Sequence, residues 1–101
     1  MKTKLPDISG ITPGEILLEE WINPHDLSCA QVSQRTGIPA SRLTEIVKGR
    51  RSITADTALR LARFFGTSDR FWLNLQQAYD LEQTRLTLGS RLKSEVMPLS
   101  A

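Results

Sequence analysis

The chain has 101 residues, 40% hydrophobic and 24% charged, with a formal net charge of +2, a size and composition that fit one domain burying one modest core without staples. Its single cysteine, Cys29, excludes an intramolecular disulfide, and no apolar run is long enough for a membrane span. The first residues carry no hydrophobic stretch of signal-peptide type, so a cytoplasmic protein is expected.

The charge is unevenly spread. Residues 1–34 hold two basic and five acidic side chains, residues 35–70 eight and three, and residues 71–101 three of each. A basic middle third concentrates polyanions around it. On charge alone, a merely solvated surface and a nucleic-acid surface remain equally open.

No stretch alternates apolar and polar residues with period two, so strands are not expected. Residues 1–11 are expected as an N-terminal arm that can be flexible. A first helix opens at Thr12-Pro13-Gly14-Glu15, with Thr12 as N-cap, Pro13 at the first helical position and Glu15 completing a capping box. Ile16, Leu17 and Trp21 give its apolar face, and Asn23-Pro24 is expected to end it. A second helix starts after Ser28, with Gln31 three residues on, and stops at Thr36 before Gly37. After Ile38-Pro39 a third runs from about Ala40 to Lys48, with Leu43, Ile46 and Val47 as buried candidates, and Arg50-Arg51-Ser52-Ile53 forms a loop. A fourth opens at Thr54, its apolar side being Ala58, Leu59, Leu61, Ala62 and Phe65. A fifth opens at Thr67 or Ser68, repeats Phe71, Trp72, Leu75, Ala78 and Tyr79 at helical spacing, and continues to about Leu88. Gly89-Ser90 interrupts it, leaving 89–101 as a tail.

The second and third helices carry the most specific pattern. Two short helices crossing steeply through a tight turn need a glycine in the turn, a small residue where the backbones approach, and apolar pins on both sides. Gly37, Ser33, and the set Val32, Ile38, Leu43 and Ile46 meet these needs together. This is a helix-turn-helix, whose second helix enters the major groove of DNA. Its exposed positions are the candidate base contacts: Ala40 for a thymine methyl, Ser41 and Thr44 for bases or phosphates, Arg42 bidentate to guanine, and Glu45 either accepting from cytosine or orienting Arg42. Lys48, Arg50, Arg51 and the amides around Cys29 at the start of the second helix are candidate phosphate contacts. Each residue taken singly also has a plain reading. Arg42 and Glu45, spaced i, i+3, can form a surface ion pair, and Arg50-Arg51 can be solvated. The aromatic group Phe64, Phe65, Phe71, Trp72 and Tyr79 reads as core, with part of it available for a dimer seam; Trp21 also reads as core. His25 has no cysteine or carboxylate neighbours at ligand spacing, so neither a metal nor a cofactor is expected. No nucleophile elbow, phosphate loop or HExxH is present.

At these residues the chain strongly resembles the HigA/VapI antitoxins, of the Xre-type helix-turn-helix class in the Cro/cI repressor superfamily. The resemblance rests on Thr12-Pro13-Gly14-Glu15-Ile16-Leu17, the helix-turn-helix, Lys48-Gly49-Arg50-Arg51-Ser52-Ile53-Thr54, Ala58-Leu59-Arg60-Leu61-Ala62 with Phe65-Gly66, and Phe71-Trp72-Leu73-Asn74-Leu75-Gln76 followed by Tyr79-Asp80-Leu81. Two positions depart from the pattern: Ser33 replaces the usual alanine, and Pro39 stands where Ser or Thr normally caps the recognition helix. The resemblance implies an all-α, five-helix lambda-repressor-like bundle over 12–88 with a C-terminal helical extension. It also implies a homodimer on double-stranded operator DNA and a HigB-like, mRNA-cleaving toxin as partner. The acidic first helix (Glu15, Glu19, Glu20) and the chain ends are the candidate toxin-facing surfaces, although Glu19-Glu20 also reads as a solvated helix face. The alternatives are an Xre-type repressor without a toxin and a protein-binding bundle that has lost DNA binding, the latter disfavoured by the basic middle third. A small nuclease would need a carboxylate cluster or a histidine-based acid–base pair, and one histidine with scattered acids argues against an enzyme.

Overall fold

The computed structural model describes residues 10–100, which are helical with no strand among them. The arm expected over 1–11 lies, except for Gly10 and Ile11, outside the described residues. Helix α1 (Pro13–Ile16) begins at the expected capping box: the Glu15 amide donates to Thr12 Oγ1 at 3.1 Å and the Thr12 amide to Glu15 Oε1 at 2.9 Å. It then widens into a π-helical stretch, Leu17–Ile22, followed by a 3₁₀ turn, Asn23–His25. The expected stop before Pro24 is therefore corrected. Asn23 stays helical (φ −61°, ψ −46°), because Pro24 sits at the start of the 3₁₀ turn, where its missing N–H is not needed. The chain leaves the turn at Asp26, in the left-handed region at φ 57°.

Helices α2 (Cys29–Thr36) and α3 (Ala40–Val47) follow, then α4 (Ala55–Phe65), the long α5 (Asp69–Leu88) and a short α6 (Arg91–Glu95). Ser28 and Gln31 cap α2 reciprocally at 3.1 and 2.8 Å, and Ser68 accepts from the Phe71 amide to open α5. These caps are local, so the sequence alone locates the first of them and narrows the second to Thr67 or Ser68.

The core joins Leu17, Ile22, Val32, Ile38, Leu43, Ile46, Ile53, Ala58, Leu61, Ala62 and Trp72. Trp72 is fully buried, and its indole N–H donates to Thr67 Oγ1 at 2.7 Å. Half-buried Trp21 packs edge-on against Phe71 and Trp72, with ring centroids 5.6 and 5.4 Å away. His25 caps the same corner, its Nδ1–H donating to the Trp21 carbonyl at 2.6 Å. Two expected core positions face water instead. Leu59 is 58% exposed because Ala58, Leu61 and Ala62 already turn α4 inward, and Ala78 is exposed on α5.

Two long-range contacts fix how the helices sit. Pro13 and Gly14 are buried where α1 crosses α3, and a Cβ on Gly14 would collide with the Ile46 carbonyl. Only glycine fits there, whatever its backbone angles. Gln76 on α5 is buried and bridges two elements: its Oε1 accepts from the Ile53 amide at 2.8 Å and its Nε2 donates to Asp80 at 2.9 Å. The N-terminal half of α5 thus closes the bundle over the α3–α4 loop. No helix among the described residues is long and apolar enough to cross a membrane.

Candidate nucleic-acid interface

The turn between α2 and α3 is held by side chain–backbone hydrogen bonds. Gly37 takes the left-handed region at φ 77°, where a β-carbon is disfavoured, and its amide closes onto the Ser33 carbonyl at 3.0 Å. Ser33 Oγ donates across the turn to the Ile38 carbonyl. Thr36 Oγ1 donates to the Val32 carbonyl at 2.6 Å and accepts from the Ile38 amide at 3.2 Å. Val32, Ile38, Leu43 and Ile46 are fully buried beneath this turn. Of the six residues expected as its core, Ser33 is only half-buried and Gly37 is exposed; they shape the turn rather than fill the core. A serine in place of alanine thus has a definite role, since its hydroxyl spans the turn.

Helix α3 starts at Ala40 behind Pro39, which makes no side-chain cap. The first-turn amides of a helix have no partner within it, so the positive end of α3 is left open. Ala40 and Ser41 are exposed there, whereas Arg42, Thr44 and Glu45 are half-buried. The Arg42–Glu45 ion pair that helical spacing offered as the plain alternative to base contact does not form. Arg42 Nη1 instead meets Asp56 Oδ1 at 3.4 Å, and Glu45 meets Arg50 at 3.7 Å. Arg42, Arg51, Ser52, Thr54 and Asp56 line one shallow depression beside α3. Lys48 and Arg51 are exposed and pair with no carboxylate among the described residues. Cys29 opens α2 and is not among the residues that line this depression; burial pushes its thiol pKa up.

Sequence reasoning missed Asp56, Arg60 and Thr36. Arg60 Nε donates to Asp56 Oδ1 at 2.9 Å and its Nη1 to the Thr36 carbonyl at 3.0 Å. The Asp56–Arg60 spacing of i, i+4 was a readable signal. The reach to Thr36, 24 residues away, was not. Arg35 lies over the Phe64 ring at 4.9 Å.

An open recognition-helix terminus, a wired turn and a basic loop define a helix-turn-helix protein of the DNA-binding class. Comparison with known proteins agrees: residues 18–72 match the helix-turn-helix family model. Virulence-associated protein I of Dichelobacter nodosus is 49% identical over 76 residues, covering 75% of this chain and 70% of that protein. An addiction-module antidote protein of the HigA family from Coxiella burnetii superposes with a TM-score of 0.82 at 51% identity, over 87% of this chain and 96% of that one. The Pseudomonas aeruginosa antitoxin HigA, solved with the higBA promoter, superposes with a TM-score of 0.84 at 39% identity, over 88% of this chain and 97% of that one. The chain belongs to the Xre-type helix-turn-helix family, on the branch that holds the HigA proteins.

Proposed function

We propose that this protein is the antitoxin of a type II toxin–antitoxin pair, binding a HigB-like mRNA-cleaving toxin and repressing its own operon. The observation that carries the DNA-binding half is the exposed, uncapped start of α3 together with the exposed cations Lys48, Arg50 and Arg51 that follow the end of the same helix, in a fold shared with an antitoxin solved on its promoter. Ala40, Ser41, Arg42, Thr44 and Glu45 would face base edges, with Arg42 reading guanine. The cations of the following loop and the first-turn amides near Cys29 would hold phosphates. Residues 12–88 would form the DNA-binding domain and 89–101 its tail, in a cytoplasmic protein that needs no cofactor and catalyses no reaction.

The protein would bind as a homodimer, because helix-turn-helix units read paired half-sites about one helical turn, roughly 34–36 Å, apart. Leu81, Leu86, Leu92, Val96 and Met97, each at least half exposed, supply apolar surface for a partner copy. The toxin half rests on the family likeness.

The test is a pull-down of the tagged protein from its native host, with co-purifying proteins identified by mass spectrometry. A stoichiometric small basic protein encoded beside it is the expected result. Recovery alone, or with DNA only, would leave an Xre-type repressor without a toxin.

A further inference from the structure

The chain of hydrogen bonds from Thr36 to Arg42 has no evident part in building the core: all its charged members lie on the surface. It runs across three helices. The Thr36 carbonyl at the end of α2 accepts from Arg60 Nη1 at 3.0 Å, Arg60 Nε donates to Asp56 Oδ1 at 2.9 Å, and the same oxygen accepts from Arg42 Nη1 at 3.4 Å. Gly37 keeps the path open, since a β-carbon there would come within 2.6 Å of Arg60 Nη1.

We propose that Asp56 is a specificity-determining positioning residue, which holds the Arg42 guanidinium in one orientation at the floor of the reading surface. The proposal rests on the reading of Arg42 as a base contact. A guanidinium has five N–H donors in a rigid fork, so one can stay on Asp56 while two others meet the N7 and O6 acceptors of guanine. An arginine free to swing pairs equally well with the nearest phosphate, a contact without sequence information. Asp56 opposes that swing. Its own carboxylate is anchored, because Arg60 is tied both to it and to the backbone of α2. The side chain of Arg42 is only 31% exposed, as expected of one held against the protein surface. Much of the ordering that base contact demands has then been met before DNA arrives.

Asp56 also has two plainer roles. It sits in the first turn of α4, where a carboxylate favours the helix dipole, and it pairs with Arg60 at i, i+4. Both act on folding, and would weaken binding to every duplex alike. The readout is therefore discrimination between duplexes. Full-length wild type, Asp56→Ala, Asp56→Asn and Arg42→Ala are each selected against a library of randomised duplexes. Affinities are then measured for the duplex wild type enriches most and for its single-base variants, after thermal unfolding has verified each fold. Wild type is expected to require guanine at one position in each half-site. Arg42→Ala and Asp56→Ala are each expected to lose roughly tenfold discrimination at that position, with unchanged salt dependence in Arg42→Ala and a slope steeper by up to about one unit in Asp56→Ala, where the released Arg42 gains a phosphate. Asp56→Asn, which keeps an acceptor oxygen, is expected to lose less, and it carries the test if Asp56→Ala does not fold. Wild-type discrimination in the Asp56 variants, or an equal loss on all duplexes, overturns the proposal. Wild-type discrimination in Arg42→Ala also overturns it, but leaves operator binding intact. Failure of wild type to enrich any duplex removes sequence-specific repression and this proposal together.

Discussion

Arg50 is the most exposed cation in an ion pair beside α3, with 64% of its side chain open to water and a loose 3.7 Å contact to Glu45. A pair that wet and that long contributes little to the fold, so its charge remains available to a phosphate. Arg50→Ala is expected to weaken binding to all duplexes alike and to flatten the slope of log affinity against log salt by about one unit; an unchanged slope would show that Arg50 touches no phosphate. Cys29 behaves in the opposite way. Burial holds its thiol in the neutral form, so the folded state keeps a proton that the unfolded chain releases near pH 8.5. The associated stability is present below that pH and declines as pH rises through it. Wild type should therefore lose part of its stability advantage over Cys29→Ala between pH 7 and pH 9.5 in urea unfolding, whereas a constant difference would mean the thiolate is as well solvated in the fold as outside it. At this scale the sequence did not give the partners of the side chains it singled out. Helical spacing offered Glu45 as one possible partner for Arg42, while the structure sets it against Asp56, 14 residues away on another helix.

Helix starts were legible because each is written within four residues: Thr12 to Glu15, Ser28 to Gln31, Ser68 to Phe71. The packing of one helix on another was not, because it depends on residues far apart in the chain. Gly14 read as part of a cap, yet its main role is to let α1 approach the α3 backbone at Ile46. Gly14→Ala should lower the unfolding free energy by about 1–3 kcal/mol through overpacking, seen as a lower midpoint in thermal or urea unfolding. A midpoint equal to wild type would mean α1 can shift off α3 freely. Gln76 was likewise invisible as a structural residue. A polar side chain within an aromatic-rich run gives no hint that it satisfies the buried Ile53 amide, 23 residues earlier. The π-helical widening of α1 also escaped, since its apolar residues fit ordinary helical spacing about as well.

The molecule as a whole is elongated, with principal extents of 53, 38 and 23 Å and a radius of gyration of 16.5 Å, against about 13 Å for a compact chain of this length. The all-α bundle was readable from periodicity; the protruding distal end was not, because its leucines are apolar without being buried. Leu81 and Leu86 are 55% and 68% exposed on α5. If this end joins two copies, Leu81→Glu together with Leu86→Glu should leave the monomer's unfolding midpoint nearly unchanged, halve the mass seen by light scattering and weaken operator binding. A double variant with wild-type mass would place the dimer seam elsewhere. The exposed start of α3 has a different consequence. Ala40 and Ser41 stand clear of the core, and surface substitutions of that kind usually change stability by no more than about 0.5 kcal/mol. Mutational drift at these two positions is therefore nearly silent for folding. If Ala40 and Ser41 face bases as proposed, duplicated copies of this gene could diverge toward new DNA addresses without passing through unfolded intermediates.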